Sequence, residues 1–264
     1  MIMKEVAPSK LYKYQSCNVQ TISNLRKRCL WFSKPEDFND PFDCDINFEI
    51  IDVTQENLNL LFVHMRESAQ DKVGFDKKYL GDGKINAVWV EDAVKFSLMA
   101  TTNVKKLWAN IGVTCLAEKN DDILMWSHYT YGHQGFCLEF DTSYSPFTER
   151  SKDTLIKVHY SDSYPPLRLS DLLHDKLPHL PKNLLATKSS HWSYEAEWRV
   201  FSTTSGEYSY DQAALTGIYF GCKMKENDKE TIASVIAGSP TRLYQMHRSN
   251  DKFKVLPDEI YNAR

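Results

Sequence analysis

Lys188-Ser189-Ser190-His191-Trp192-Ser193-Tyr194-Glu195-Ala196-Glu197-Trp198-Arg199 is the stretch whose reading decides the fold. Taken as a strand, with side chains alternating between faces, it sets Ser193, Glu195, Glu197 and Arg199 on one side and Tyr194, Ala196 and Trp198 on the other. The largely apolar side then sits on a core, and two carboxylates and a guanidinium are held together on the open side. Taken as a helix, the same residues make Glu195 and Arg199 i,i+4 partners on a solvated face, an ordinary ion pair. The strand reading predicts a site for a cationic or sugar-like group.

Working outward, the second half of the chain reads mostly as β. Gly112 to Leu116, Gly135 to Phe140, Ile156 to Tyr160, Leu215 to Phe220 and Thr241 to Met246 are rich in branched and aromatic residues. A helix is expected over Asp228 to Ala237, capped by Asn227 or Asp228. The first half mixes elements. Leu11, Tyr12 and Tyr14 suggest a strand, and Ser16 or Asn18 caps a helix carrying Ile22 and Leu25. Leu30 to Phe32 is a buried strand, and helical spacing recurs over residues 55 to 70 and across Val88 to Leu98. Glycines at 74, 81 and 83 mark a loop between those helices. The order lacks the regular alternation of a doubly wound sheet and contains no glycine-rich phosphate loop. The expectation is an α+β fold with a mixed, mainly antiparallel sheet packed with several helices, in a single domain over 1–264.

Of 264 residues, 42% are hydrophobic and 12% aromatic, enough for a sizeable core and against disorder. A net charge of -3 provides no broad basic field, so nucleic acid is neither required nor excluded as a partner. The six cysteines are scattered without a Cys-x-x-Cys pair, no signal-like apolar stretch follows Met1 to Lys4, and no apolar run is long enough to span a membrane. A cytoplasmic protein with free thiols and no membrane contact is expected.

Beyond Glu195 and Glu197, three constellations carry chemistry. In the first, Trp126, Tyr129 or His133 forms a wall that stacks on a flat ligand, although Trp126 and Tyr129 at helical spacing also read as core. His128 and His133 are too few ligands for zinc. In the second, the oxygens of Asn39, Asp40 and Asp43 bind a ribose or divalent cation, or else Asn39 and Asp40 cap the turn at Pro41 while Phe42 anchors it. In the third, Tyr12, Lys13, Tyr14 and Ser16 line a pocket where the first strand meets a helix start that favours phosphate.

Leu11-Tyr12-Lys13-Tyr14, Asn24-Leu25, Leu30 to Ser33, Phe38-Asn39-Asp40-Pro41-Phe42-Asp43, Trp126 to Tyr129, His133-Gly135-Phe136 and Lys188 to Arg199 together resemble the bacterial family called domain of unknown function 2971, over roughly residues 10 to 245. That resemblance implies an accessory or phage-defence role. A more distant similarity is to ADP-ribosyltransferases, in Tyr12 to Ser16, Asn24-Leu25 and the paired glutamates, with Lys13 where those enzymes have His or Arg. It implies NAD as substrate rather than a resident cofactor. Glu197 then stabilises the ribosyl cation, Glu195 orients the acceptor, and Tyr12, Lys13 and Ser16 hold the nucleotide. Asn39, Asp40, Trp126, Tyr129, His133, Lys188 and Arg199 complete the expected binding set. The acceptor is water, protein or nucleic acid, and no metal is implied. Two other readings compete: a nuclease with Asp40 or Asp43 joining Glu195 and Glu197 around magnesium, and a non-enzymatic sensor whose charges form a buried network.

Overall fold

The computed structural model describes residues 6–45, 50–82, 84–89, 91–93, 95, 110–148, 155–170 and 185–260. Its longer strands are β1 (Lys10–Gln15), β2 (Cys29–Phe32), β3 (Gly112–Ala117), β4 (Phe136–Asp141), β5 (Leu155–Lys157), β6 (His159–Ser161), β7 (Thr187–Ser189), β8 (Glu197–Ser202), β9 (Gly206–Ser209), β10 (Leu215–Phe220), β11 (Arg242–Arg248) and β12 (Val255–Ile260). Its α-helices include α1 (Val19–Lys27), α2 (Gln55–Ser68), α3 (Lys72–Tyr79), α4 (Ile123–Tyr129) and α5 (Glu226–Val235). Eight strands make the main sheet in the order β12-β11-β10-β4-β1-β3-β8-β5, antiparallel throughout except for β10 beside β11. The α+β expectation therefore holds.

The sheet is covered on both faces, which is why β4 and β8 are buried almost along their whole length. One face carries Leu11, Leu116, Leu138, Trp198 and Ile218 into the principal core, where Leu25 of α1 and Ile232 of α5 pack on them. The other carries Tyr14, Ala117, Cys137 and Tyr219 against Met125 and Trp126 of α4. Helix α1 starts where the sequence asks it to. Asn18 accepts from the Thr21 amide at 2.9 Å while the Thr21 hydroxyl accepts from the Asn18 amide at 3.0 Å, a reciprocal cap of a kind that contributes about 1 kcal/mol. Arg28 ends it at φ 54, turning the chain into β2.

Several expectations are corrected. The decisive stretch is not one strand: Lys188 and Ser189 end β7, Ser190–Glu195 form a 3-10 helix, Ala196 sits at φ 43 in the left-handed region, and β8 begins at Glu197. Strand alternation therefore does not place Ser193 and Glu195 beside Glu197; a left-handed turn brings Glu195 back towards it. Trp198 does enter the core as expected. Helix α5 begins at Glu226 with Lys225 as its N-cap and no side-chain cap, so neither Asn227 nor Asp228 caps it. Strand β12 lies beyond the last element read from the sequence, and at the sheet edge its Pro257 removes no ladder bond the sheet needs. Of the helix expected over Val88 to Leu98, residues 87–89 and 91–93 are helical and residues 96–98 lie outside the described residues.

Candidate functional site

β1 pairs with β4 over its full length but shares a single bridge with β3, Tyr12 opposite Ala117. Beyond that bridge the ladder stops, and the Lys13 ammonium donates to the Cys115 carbonyl at 3.1 Å. A cavity of about 330 Å³ opens at this break. Tyr12, Lys13 and Tyr14 of β1 form one wall, His128 and Tyr129 of α4 another, and Asn39 and Asp43 of the β2–α2 connection a third. Lys188, Glu195 and Glu197 form its floor.

Five charged side chains meet there. The Lys188 ammonium lies 2.6 Å from Glu195 Oε2, 3.2 Å from Asp43 Oδ2 and 3.3 Å from Glu197 Oε2. Arg199 donates Nε to Glu197 Oε1 at 2.7 Å and Nη2 to both oxygens of Asp43 at 2.8 Å, and its Nη1 reaches the Leu185 carbonyl at 2.5 Å. Tyr129 donates to Glu195 Oε1 at 2.5 Å, and the Tyr160 hydroxyl accepts the Glu197 amide at 2.9 Å. Three carboxylates thus face two cations, so one carboxylate is left short of a full counter-charge.

That imbalance separates the two glutamates. Burial raises the Glu195 carboxyl to about 7, with Glu197 as a repelling neighbour and Lys188 only partly offsetting both. Burial would raise Glu197 too, but the charges of Arg199 and Lys188 outweigh it and hold this carboxyl well below the usual range. Environments that push two carboxylates apart in this way assign one as the proton carrier and the other as a fixed anion. Burial lowers the Lys13 ammonium, against the attraction of Glu197.

The structure brings Tyr12, Lys13, Asn39, Tyr129, Lys188, Glu195 and Glu197 together at one cavity and leaves five expected residues outside it. Arg199 is fully buried beneath the floor and cannot touch a ligand. Ser16 turns into α1, its hydroxyl accepting from Asn18 Nδ2 at 3.4 Å. Asp40 caps the loop through the Phe42 amide at 2.9 Å and faces a second cavity of about 510 Å³, which Lys188 also lines. Trp126 is fully buried, with its indole bonded to the Asn120 carbonyl at 2.7 Å. His133, at φ 69 after α4 has ended, stacks on Trp126 with ring centroids 6.2 Å apart, and burial lowers its imidazolium. The ring wall expected of Trp126, Tyr129 and His133 is therefore core at two of its three positions.

Asp43 was expected only as a ligand of a ribose or cation and His128 only as a metal ligand, and both line the cavity. Asp43 carried a signal in its loop, but its bidentate partner Arg199 is 156 positions away. His128 was considered only as a partner of His133, and it lies in the last turn of α4 whereas His133 follows the helix at φ 69. Among the described residues no group of three or more His, Cys, Asp or Glu is arranged to hold a metal. The centre of the three carboxylates, where a shared magnesium would have to sit, is taken by the Lys188 ammonium.

Fold and site define an α+β protein with a buried carboxylate–cation cluster at the floor of a cleft, where its main sheet is interrupted. Residues 125–200 match the family model described as protein of unknown function (DUF2971), and that segment carries Tyr129, Lys188, Glu195, Glu197 and Arg199. No curated protein and no solved structure matches the chain.

Proposed function

We propose that the protein acts on a nucleotide, most concretely by transferring or hydrolysing the ADP-ribosyl group of NAD in a bacterial defence or toxin setting. The observation that carries this reading is that Glu195 and Glu197 share a cavity with Tyr12 and Lys13 while their carboxyls are driven in opposite directions. Cleaving the bond between ribose and nicotinamide needs a fixed anion against the oxocarbenium-like centre and a base for the incoming hydroxyl. Glu197, held ionised, has the first property. Glu195, titrating near neutrality, has the second and takes the proton of the water or alcohol that forms the new bond. Lys188 lines both cavities, whose volumes are about 330 and 510 Å³. The proposal places the enzyme in the cytoplasm, where its six unpaired thiols stay reduced.

Calorimetry with NAD tests the reading: binding is expected, together with nicotinamide release that Glu197→Gln abolishes. Absence of binding ends it. A second reading is favoured by one observation, that every oxygen of Glu195 and Glu197 already accepts a donor from within the chain. In that case the cleft belongs to a non-catalytic sensor, and wild-type protein binds NAD, or another nucleotide, without releasing nicotinamide. The nuclease reading has the least support, because a lysine stands where the metal belongs.

A further inference from the structure

We propose that Lys13 is a reactive amine that condenses with the carbonyl of a small aldehyde or ketone, a second chemistry of the cleft that does not depend on the NAD reading. Lys13 lines the cavity from the unpaired side of β1, and its Nζ donates to the Cys115 carbonyl at 3.1 Å. Among the described residues no carboxylate lies within 4.0 Å of it, whereas the neighbouring Lys188 touches three. A backbone carbonyl also accepts a hydrogen from a neutral amine, though more weakly than from an ammonium, so this contact survives in the uncharged, nucleophilic form. Burial in the wall of the cleft favours the same form. Glu197 attracts the Lys13 ammonium only from a distance, and its oxygens are held by Lys188 and Arg199 at the floor of the cleft.

The step balances without any further reagent. The nitrogen lone pair attacks the carbonyl carbon, a C–N bond forms, and the oxygen takes a proton to give a carbinolamine. Water then leaves with the two hydrogens that the amine has lost, and an imine remains. Glu195 lines the same cavity and is the group able to pass the proton between nitrogen and departing oxygen. The cavity, at about 330 Å³, limits the partner to a small carbonyl compound, the open-chain form of a pentose being near the upper end.

The test is reductive trapping. Folded wild-type protein is incubated with butyraldehyde and sodium cyanoborohydride at neutral pH, and alkylation is mapped by peptide mass. Lys13 is expected to be modified at least about tenfold faster than the exposed Lys72 and Lys252, a preference that vanishes in urea. Lys13→Arg should remove the fast adduct. If that variant does not fold, the contrast between folded and denatured wild-type protein still decides. Modification of Lys13 at or below the rate of the exposed lysines in the folded protein overturns the proposal. Failure of NAD to bind leaves it standing, so the two readings fail separately.

Discussion

Arg199 and Asp43 form a bidentate pair, Nη2 lying 2.8 Å from each carboxylate oxygen, and so tie the loop after β2 to strand β8 beneath the cleft. Arg199 is fully buried and Asp43 nearly so. A buried pair of this kind adds little net stability compared with an apolar core, but removing one partner strands the other. Asp43→Asn is therefore expected to cost about 3 kcal/mol, read from urea unfolding followed by tryptophan fluorescence. A loss below about 1 kcal/mol would mean that Glu197 alone satisfies Arg199.

The two glutamates should separate on mutation. Glu195→Gln resembles the protonated state that this carboxyl already adopts near neutrality. Its carbonyl keeps the bond from Lys188 and its amide donates to the Tyr129 oxygen, so below pH 4.5 stability should change by less than about 1 kcal/mol, whereas at pH 7 the variant should be the more stable protein. Glu197→Gln leaves Arg199 and Lys188 short of a charge and should destabilise by about 3 kcal/mol, with loss of any turnover. Thermal melts of both variants beside a nicotinamide-release assay check the pair; equal melting temperatures would contradict the charge distribution described here.

The cluster also has a pH signature. The Glu195 carboxyl rises from 4.5 to about 7 on folding, so across that interval the folded state binds more protons than the unfolded state. Its contribution to stability is present in full below pH 4.5 and lost as pH rises through about 7, a change on the order of 3 kcal/mol at most. Glu197 acts in the opposite sense, contributing stability above 4.5 that disappears as the medium becomes more acid. Urea midpoints measured between pH 4.5 and 7.5 should fall for the wild type and flatten in Glu195→Gln. Parallel slopes in the two proteins would place the titration elsewhere.

Ala196 is the hinge of the site. At φ 43 its methyl group is in the left-handed region, which costs about 1–2 kcal/mol for a residue with a Cβ. Ala196→Gly is expected to stabilise the protein by roughly 0.5–1 kcal/mol, the unfolded-state entropy of glycine taking back part of the relief. A lower unfolding midpoint would show that packing of the methyl outweighs the strain.

Much of this was legible in the chain. Apolar alternation in Leu11 to Tyr14, the run Phe136 to Phe140 and the Asn18 cap each carry their own local reason, and each element appears where that reason puts it. The pairing of Tyr12 and Lys13 with Glu195 and Glu197 came only from the resemblance drawn to ADP-ribosyltransferases, not from residue type or spacing. Ser16, Asp40 and His133 fell outside the cavity because helix ends and turns, whose direction no periodicity encodes, decide where those side chains go, while Trp126 took the core position that its helical spacing also allowed.

By itself the sequence determined the α+β class and the supply of charge: branched and aromatic residues in short runs make strands, and carboxylates in such a context must find partners. Tertiary structure decided which partners. The left-handed turn at Ala196, the reach of Asp43 to Arg199 and the interruption of the sheet after Tyr12 are contacts between residues far apart in the chain or conformations imposed by packing. Those contacts leave Glu195 as the carboxyl able to take a proton and Glu197 as the one held charged, because a carboxyl's proton affinity depends on burial and neighbouring charge, which only the folded chain assembles.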